Sequence, residues 1–423
     1  MPDDTFKRVL GLPQVTMSGV AVIIGAGIFV LLGPATREAG GAVWLSFVIA
    51  GVLSALTAFS YMELASMFPK AGSEHEFASQ VFSRWVAVVV GWSMAAALVV
   101  AGATVSLGFG RYLNEFVEVD ERLAAAALLL LMAVVSYLGM ERAAWLVISL
   151  ALIEIGSLVV VIIIGVPSVG DHDLFAGSFT GVLSAAGLVF FAFIGFDEVI
   201  TLAEETRNPT WAIPRALLLA LGVSTLLYVG VAVSAVSVLG ADVLAAADRP
   251  LAAVGEQVLG GWAGSALSVA AMVSTGTTVL LVLTAGSRMF YGMAGAGDLP
   301  RALAEVRFRR VPFNALVVTV VAALALLLLG DLKTLASATD ALIYLTFLVV
   351  NAAVIALRRT MPEVARPFRI RGAIGWVPVL PVLAFVVVLV VAQELQTSSF
   401  WMVGVIVALG LGVHAAHRLT AKQ

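Results

Sequence analysis

Apolar runs free of charged side chains recur along the whole chain, over residues 9–36, 39–62, 85–110, 123–140, 155–170, 174–196, 216–241, 257–287, 311–330, 341–357, 372–393 and 395–417. Each is close to or above the roughly 20 apolar residues that a helix needs to cross a bilayer. The fifth run lengthens to residues 143–166 when a single acid, Glu154, is allowed inside it. The runs are continuous rather than alternating, which argues against the short two-sided strands of a membrane barrel and predicts twelve membrane-spanning helices. The longest polar stretches between them, residues 298–310 and 358–371, are basic, and no separate soluble domain is expected. The first run follows a mixed-charge leader (Asp3, Asp4, Lys7, Arg8) and lacks a small-residue cleavage site, so it reads as a retained span.

Composition agrees with the pattern. Of 423 residues, 61% are hydrophobic and 12% charged, with a mean hydropathy of +1.06. A soluble domain is nearer half apolar and a quarter charged, so the expected fold class is an all-α integral membrane protein. The net charge of −3 gives no reason to expect a nucleic-acid partner, and the lack of cysteine excludes disulfides, thiolate metal sites and a thiol nucleophile. With the N-terminus inside, 19 of the 24 Lys and Arg residues fall on the cytoplasmic side, leaving Arg37, Arg111, Arg122, Arg249 and Lys333 outside. This positive-inside bias predicts a multi-pass protein of the cytoplasmic membrane with both termini in the cytoplasm.

Two spans are interrupted. In the first, Gly25 and Gly27 stand in the middle of Val22–Phe29, and glycine costs about 1 kcal/mol in a helix interior. Close helix packing and an unwound segment both account for that run taken alone. In the sixth, Gly195 is followed by Asp197 and Glu198 where an apolar helix should continue. An acid at membrane depth is expensive unless it lines a cavity or finds a partner. Breaks five spans apart are the pattern expected of two inverted five-helix repeats with a substrate site between broken helices. Half-helix N-termini offer N–H groups to an anion and C-termini offer carbonyls to a cation, a combination suited to a zwitterion.

The run Gly25-Ala26-Gly27-Ile28-Phe29, the stretch Phe190–Asp197 (FFAFIGFD) and the following Ala203-Glu204-Glu205 and Asn208-Pro209 resemble elements of the amino acid–polyamine–organocation (APC) superfamily of permeases. Gly108–Tyr112, Ile213-Pro214-Arg215, Ser274-Thr275 and Gly286-Ser287-Arg288 fit the same pattern in order. The resemblance implies a leucine-transporter-like 5+5 inverted repeat, with repeat one at about 13–166, repeat two at about 181–357 and peripheral helices at about 372–417. It implies secondary active transport of amino acids by alternating access. It places the substrate carboxylate on the amides of Gly25, Ala26 and Gly27 and the α-ammonium on carbonyls of Ile23, Phe191, Ala192 and Ile194, with Phe196 or another aromatic closing the pocket. Three departures stand out: Ala26 lacks the hydroxyl common at its position, and Pro69–Phe77 and Ala294–Pro300 differ from the family pattern at the cytoplasmic face.

Glu154 occupies the place where proton-coupled relatives of that superfamily carry a lysine. A buried carboxyl there offers proton coupling, or Na⁺ binding with Ser274 and Thr275, or a structural hydrogen bond, and proton coupling is the reading preferred. No metal cluster, cofactor or paired catalytic acid and base is found, so an enzyme is not expected. His414 and His417 lack companion ligands, and Glu74-His75-Glu76 lacks the second histidine of a zinc protease motif. The expected partners are an amino acid or amine substrate, H⁺ or else Na⁺, and the lipid bilayer. The rival functions are a polyamine or organic-amine exchanger and a non-transporting sensor of the same fold.

Overall fold

The computed structural model describes residues 10–68, 74–138, 144–202, 206–306 and 311–420. The leader charges, Lys70, Arg142, Ala203-Glu204-Glu205, Arg307, Arg309, Arg310 and Lys422 lie outside the described residues. Helices follow the apolar runs in order: α1 (Leu12–Ile23), α2 (Gly27–Ala39), α3 (Val43–Met67), α4 (Glu74–Val81), α5 (Arg84–Leu113), α6 (Glu121–Leu138), α7 (Ala144–Gly165), α8 (Phe179–Val189) and α9 (Glu198–Thr201). They continue with α10 (Pro209–Leu239), α11 (Ala241–Ala246), α12 (Pro250–Leu259), α13 (Gly261–Gly295), α14 (Phe313–Leu329), α15 (Leu332–Thr360), α16 (Val379–Ala392) and α17 (Thr397–Thr420). Among the described residues nine helical segments are long and apolar enough to cross a membrane, and α1, α14 and α16 are shorter apolar helices. The chain is therefore a multi-pass membrane protein.

Where the structure departs from the hydropathy pattern, local chemistry explains it. The eighth run begins at Gln257, yet the chain turns at Gly260, so its first residues finish α12 and the span proper is α13. The eleventh run begins with a small antiparallel hairpin, β1 (Ala373–Ile374) paired with β2 (Val377–Pro378), before α16 starts. That hairpin is the exception to an otherwise helical fold among the described residues. Two helix starts are capped by side-chain oxygens: Ser178 accepts from the Gly181 N–H at 3.0 Å and Asp331 from the Thr334 N–H at 2.7 Å.

Helix α5 runs through the middle of the bundle, with α13 and α15 against it. Its small residues Ala95–Ala97 and Ala101–Ala103 are buried, which lets neighbouring backbones approach closely. Helices α3 and α15 are joined by a polar contact inside the apolar core, where Ser60 donates to Asn351 Oδ1 at 2.6 Å, while Asn351 Nδ2 donates to the Phe347 carbonyl of its own helix at 2.9 Å.

The ends of the bundle are fastened by charge. Glu63 at the end of α3 receives two bonds from Arg358 of α15, at 2.8 and 2.6 Å, and one from the Ile370 N–H at 2.8 Å, with Arg366 at 3.2 Å. The Glu63 and Arg358 side chains are only 1% and 3% exposed. Asp298 ties together His75 of α4 (2.8 Å), Arg84 of α5 (2.6 Å) and, through its carbonyl, His414 of α17 (2.8 Å). At the other end Arg249 pairs with Glu115, and Lys333 with Glu38. Removing one member of a buried pair strands the others, at about 3–5 kcal/mol. Glu63→Gln should accordingly lower the thermal unfolding temperature in detergent well below that of a Gln substitution at exposed Glu363, and equal temperatures for the two variants would contradict the role given to Glu63.

Candidate functional site

Helix α1 stops at Ile23 because Ile24 leaves helical geometry (ψ 88°), and α2 begins three residues later at Gly27. Breaking a helix inside an apolar bundle exposes N–H and C=O groups that lipid cannot satisfy. Part of that demand is met by side chains from distant spans. The Ala26 N–H donates to Thr278 Oγ1 of α13 at 3.1 Å, and the Gly25 N–H turns back to the Ile23 carbonyl at 2.9 Å. The N–H groups of Gly27, Ile28 and Phe29 open α2 and, as at any helix start, have no intrahelical acceptor.

The sixth span breaks opposite. Helix α8 ends at Val189, a tight turn covers Phe190–Phe193, and the chain extends through Ile194 (ψ 140°) to Gly195. Gly195 has φ +100°, a conformation that side-chain-bearing residues avoid, and α9 then restarts the helix. The two breaks touch: a Cβ placed on Gly27 would lie 2.5 Å from Ala192 Cα. The Tyr228 hydroxyl of α10 stands 2.8 Å from both the Ile23 and the Ala192 carbonyls, so its single proton is shared between one break and the other.

A cavity of about 400 Å³ opens at this junction. Ile23, Gly25, Ala26, Gly27, Phe191, Ala192 and Ile194, all singled out in the sequence, line it. Phe196 does not: it is fully buried behind the cavity, packed edge-on against Tyr61 at 5.7 Å and against Phe347 at 5.6 Å. Glu154 lines the cavity from α7, and Thr277 brings its hydroxyl to Glu154 Oε1 at 2.6 Å. Thr275, expected in that place, spends its hydroxyl on the Ala271 and Met272 carbonyls of its own helix. Ser274 lies beside the Glu154 carboxyl without closing a hydrogen bond and does not line the cavity. The sequence reading thus found the right stretch of α13 but named Thr275 where Thr277 meets Glu154. Helical spacing held the signal, since positions 274, 277 and 278 share one side of a helix while 275 turns away.

Toward the end lined by Asp197, Glu198, Arg288 and Met289, the cavity meets a second group of acids. Glu74, from α4, is 4% exposed, accepts a hydrogen bond from Tyr61 Oη at 3.1 Å and meets the carboxyl of Asp197. Burial, reinforced by the neighbouring Asp197 charge, pushes the Glu74 carboxyl up to about 8. Asp298 goes the other way: burial opposes its charge, but the bonds from His75 and Arg84 outweigh burial and hold it below its ordinary value. Asp340, in α15, is fully buried close to Phe191 and was missed because the tenth charge-free run starts one residue after it.

The amino acid permease family profile matches residues 10–411, and the chain belongs to that family. It is 30% identical over 407 residues to a branched-chain amino acid permease of Bacillus subtilis, covering 90% of this chain and 87% of the relative. A methylthioribose transporter of the same organism is 29% identical over 408 residues, covering 90% of this chain and 87% of the relative. A vacuolar cationic amino acid transporter of Arabidopsis thaliana is 29% identical over 395 residues, covering 86% of this chain and 65% of the relative. The chain is an amino acid transporter and not an enzyme.

Two outcomes test the site's construction. Thr278→Val orphans the Ala26 N–H and should cost about 1–3 kcal/mol of stability, whereas Thr278→Ser keeps the acceptor and should cost less. Equal melting temperatures for the Val variant and the parent in detergent would show that the bond contributes nothing. For Glu74, both folded and unfolded chains hold the proton below pH 4.5, and between 4.5 and about 8 the unfolded chain loses it first. Stability therefore falls across that window as pH rises and levels above it. Glu74→Gln should flatten that part of the melting-temperature profile, and an unchanged slope counts against the assignment.

Proposed function

We propose that this permease carries a zwitterionic amino acid through the cavity between its two broken helices by alternating access, with a proton handled at Glu154. The observation carrying this reading is the convergence of both breaks, Glu154 and Thr277 on one cavity. The architecture we assign is twelve spans with both termini cytoplasmic. α1 and α2 form span one and α8 with α9 span six, in inverted repeats of about 13–166 and 181–357 followed by two peripheral helices at about 372–417. Support comes from the helix found under each of the twelve apolar runs and from breaks in the first and sixth.

Within the cavity the substrate carboxylate is assigned to the start of α2. Because Thr278 already engages the Ala26 N–H, the amides of Gly27 and Ile28 carry more of that task than Ala26. The α-ammonium is assigned to carbonyls at Ile23, Phe191, Ala192 and Ile194; a carbonyl has two lone pairs, so those bonded to Tyr228 retain capacity. Side-chain space is walled by Met94, Leu98, Ala101, Leu281 and Val282, which suits a neutral aliphatic group, and the Bacillus relative named for branched-chain amino acids points the same way. A second reading, a cationic amino acid or amine, is favoured by the carboxyls of Glu154, Asp197 and Glu198 facing a single Arg288 in the lining, and by the Arabidopsis relative's name.

Glu154 and Thr277 can exchange hydrogen-bond roles. With Glu154 ionised, Thr277 donates to it; with Glu154 protonated, Thr277 accepts and turns its own proton to the Val273 or Ser274 carbonyl, at 3.1 and 3.0 Å. Both protonation states stay hydrogen-bonded, as a reversible carrier requires.

Purified protein screened by thermal shift should be stabilised by leucine, isoleucine or valine more than by arginine, lysine or polyamines. Stabilisation by the cations alone moves the assignment to the second reading, and no response to any amino acid removes both. In proteoliposomes Glu154→Gln should keep exchange but lose accumulation under a pH gradient, where one proton per substrate supports at most about tenfold accumulation per pH unit. Accumulation equal to the parent's would end the proposal for Glu154.

A further inference from the structure

Asp340 lies in the outer half of α15, on the face that carries Lys333 two turns earlier and Tyr344 one turn later. This face packs on the sixth span: Tyr344 donates to the Gly187 carbonyl of α8 at 3.3 Å, and its ring lies 4.9 Å from that of Phe190. Asp340 is 0% exposed, and neither carboxyl oxygen has a hydrogen-bond partner. The backbone N–H of Phe191, in the sixth-span break, is directed toward it without closing a bond, and Tyr344 is the titratable neighbour. Among the described residues no charged group from the elements packed against α15 acts on it, and Lys333 is engaged by Glu38 of α2. Nor does Asp340 line the cavity.

An ionised carboxylate without a donor in such a place costs several kcal/mol, and even the neutral acid forgoes the hydrogen bond its proton offers. Thr277 and Tyr61 give Glu154 and Glu74 partners in this same conformation; Asp340 has none. A group so poorly served here is accounted for by a conformation in which it is hydrated. The covering elements are α8 and the Phe190–Phe193 turn, and on the alternating-access reading their parting from α15 opens the cavity on the side of Lys333 and Glu38.

From this placement we infer that Asp340 is a second proton-binding site, which takes up a proton as α8 closes onto α15 and releases it when they part. The inference rests on the alternating-access reading and is independent of Glu154, which faces the cavity from α7. A proton bound on closure makes the closed form more populated at low pH, by at most about tenfold per pH unit for one proton.

The chain has no cysteine, so a pair of spin labels can be placed uniquely. Phe179→Cys at the start of α8 and Leu329→Cys at the end of α14, three residues ahead of α15, are both 75% exposed and report the separation of α8 from the α14–α15 corner. In liposomes the parent should show two distances, with the short one gaining population as pH falls. Asp340→Asn, a fixed neutral side chain, and Asp340→Ser, a smaller one, should each keep both distances while losing most of that pH dependence. Two distances with pH-independent populations in the parent, or the parent's full pH dependence retained in either variant, overturns the inference about Asp340 alone. A single invariant distance in the parent overturns alternating access at these helices, and the inference with it.

Discussion

The constraint on which the structure turns is the hydrogen-bonding demand of main chain exposed within an apolar bundle. Two helices stop and restart there, and each stop leaves amides and carbonyls that lipid cannot satisfy. The molecule answers with side chains from spans far away in sequence. Thr278 reaches Ala26 across 252 positions, and Tyr228 reaches Ile23 and Ala192 across 205 and 36. These bonds decide which helices must be neighbours: α13 and α10 have to stand beside the breaks, and Gly27 has to be bare for the breaks to meet. Whatever backbone capacity is left over faces the cavity.

Much of this geometry is legible in the sequence because glycine and acids in an apolar run are visible anomalies. Gly25, Gly27 and Gly195 announce the breaks, and the seven positions named around them for their main-chain amides or carbonyls do line the cavity. What was illegible has a common cause. A hydroxyl inside an apolar helix barely changes its hydropathy, and its partner is chosen by three-dimensional neighbourhood. Thr277, Thr278 and Tyr228 therefore left no trace, and Thr275 was named although its hydroxyl is bonded within its own turn. Phe196 was misread for a related reason: an aromatic beside a break can face the ligand or brace the wall, and here Tyr61 and Phe347 claim it. Asp340 escaped because runs were bounded by charge, so a buried acid became an edge.

Charge is distributed by two different rules. At the ends of the bundle, carboxylates are saturated with partners: Glu63 takes two guanidiniums and an amide, and Asp298 takes a histidine and an arginine. Such sites give the elements they join a fixed relation. Deeper in, Glu154, Glu74 and Asp340 have one hydrogen bond from a hydroxyl or none. Sparse solvation is poor for stability, and it makes the group's charge depend on its surroundings.

The contact between Gly27 and Ala192 is also a mechanical statement. With a missing Cβ on one side and a methyl on the other, the two main chains meet at a point with little room for sliding. In any rigid rotation of one helix group against the other, such a point behaves as a fulcrum. Atoms beside it are displaced least, while atoms at the rims, on long lever arms, travel furthest. On the alternating-access reading proposed above, a ligand held next to the fulcrum keeps its contacts through the swing, and the strain of the stroke is delivered to ion pairs at the rim, Lys333 with Glu38 and Arg249 with Glu115.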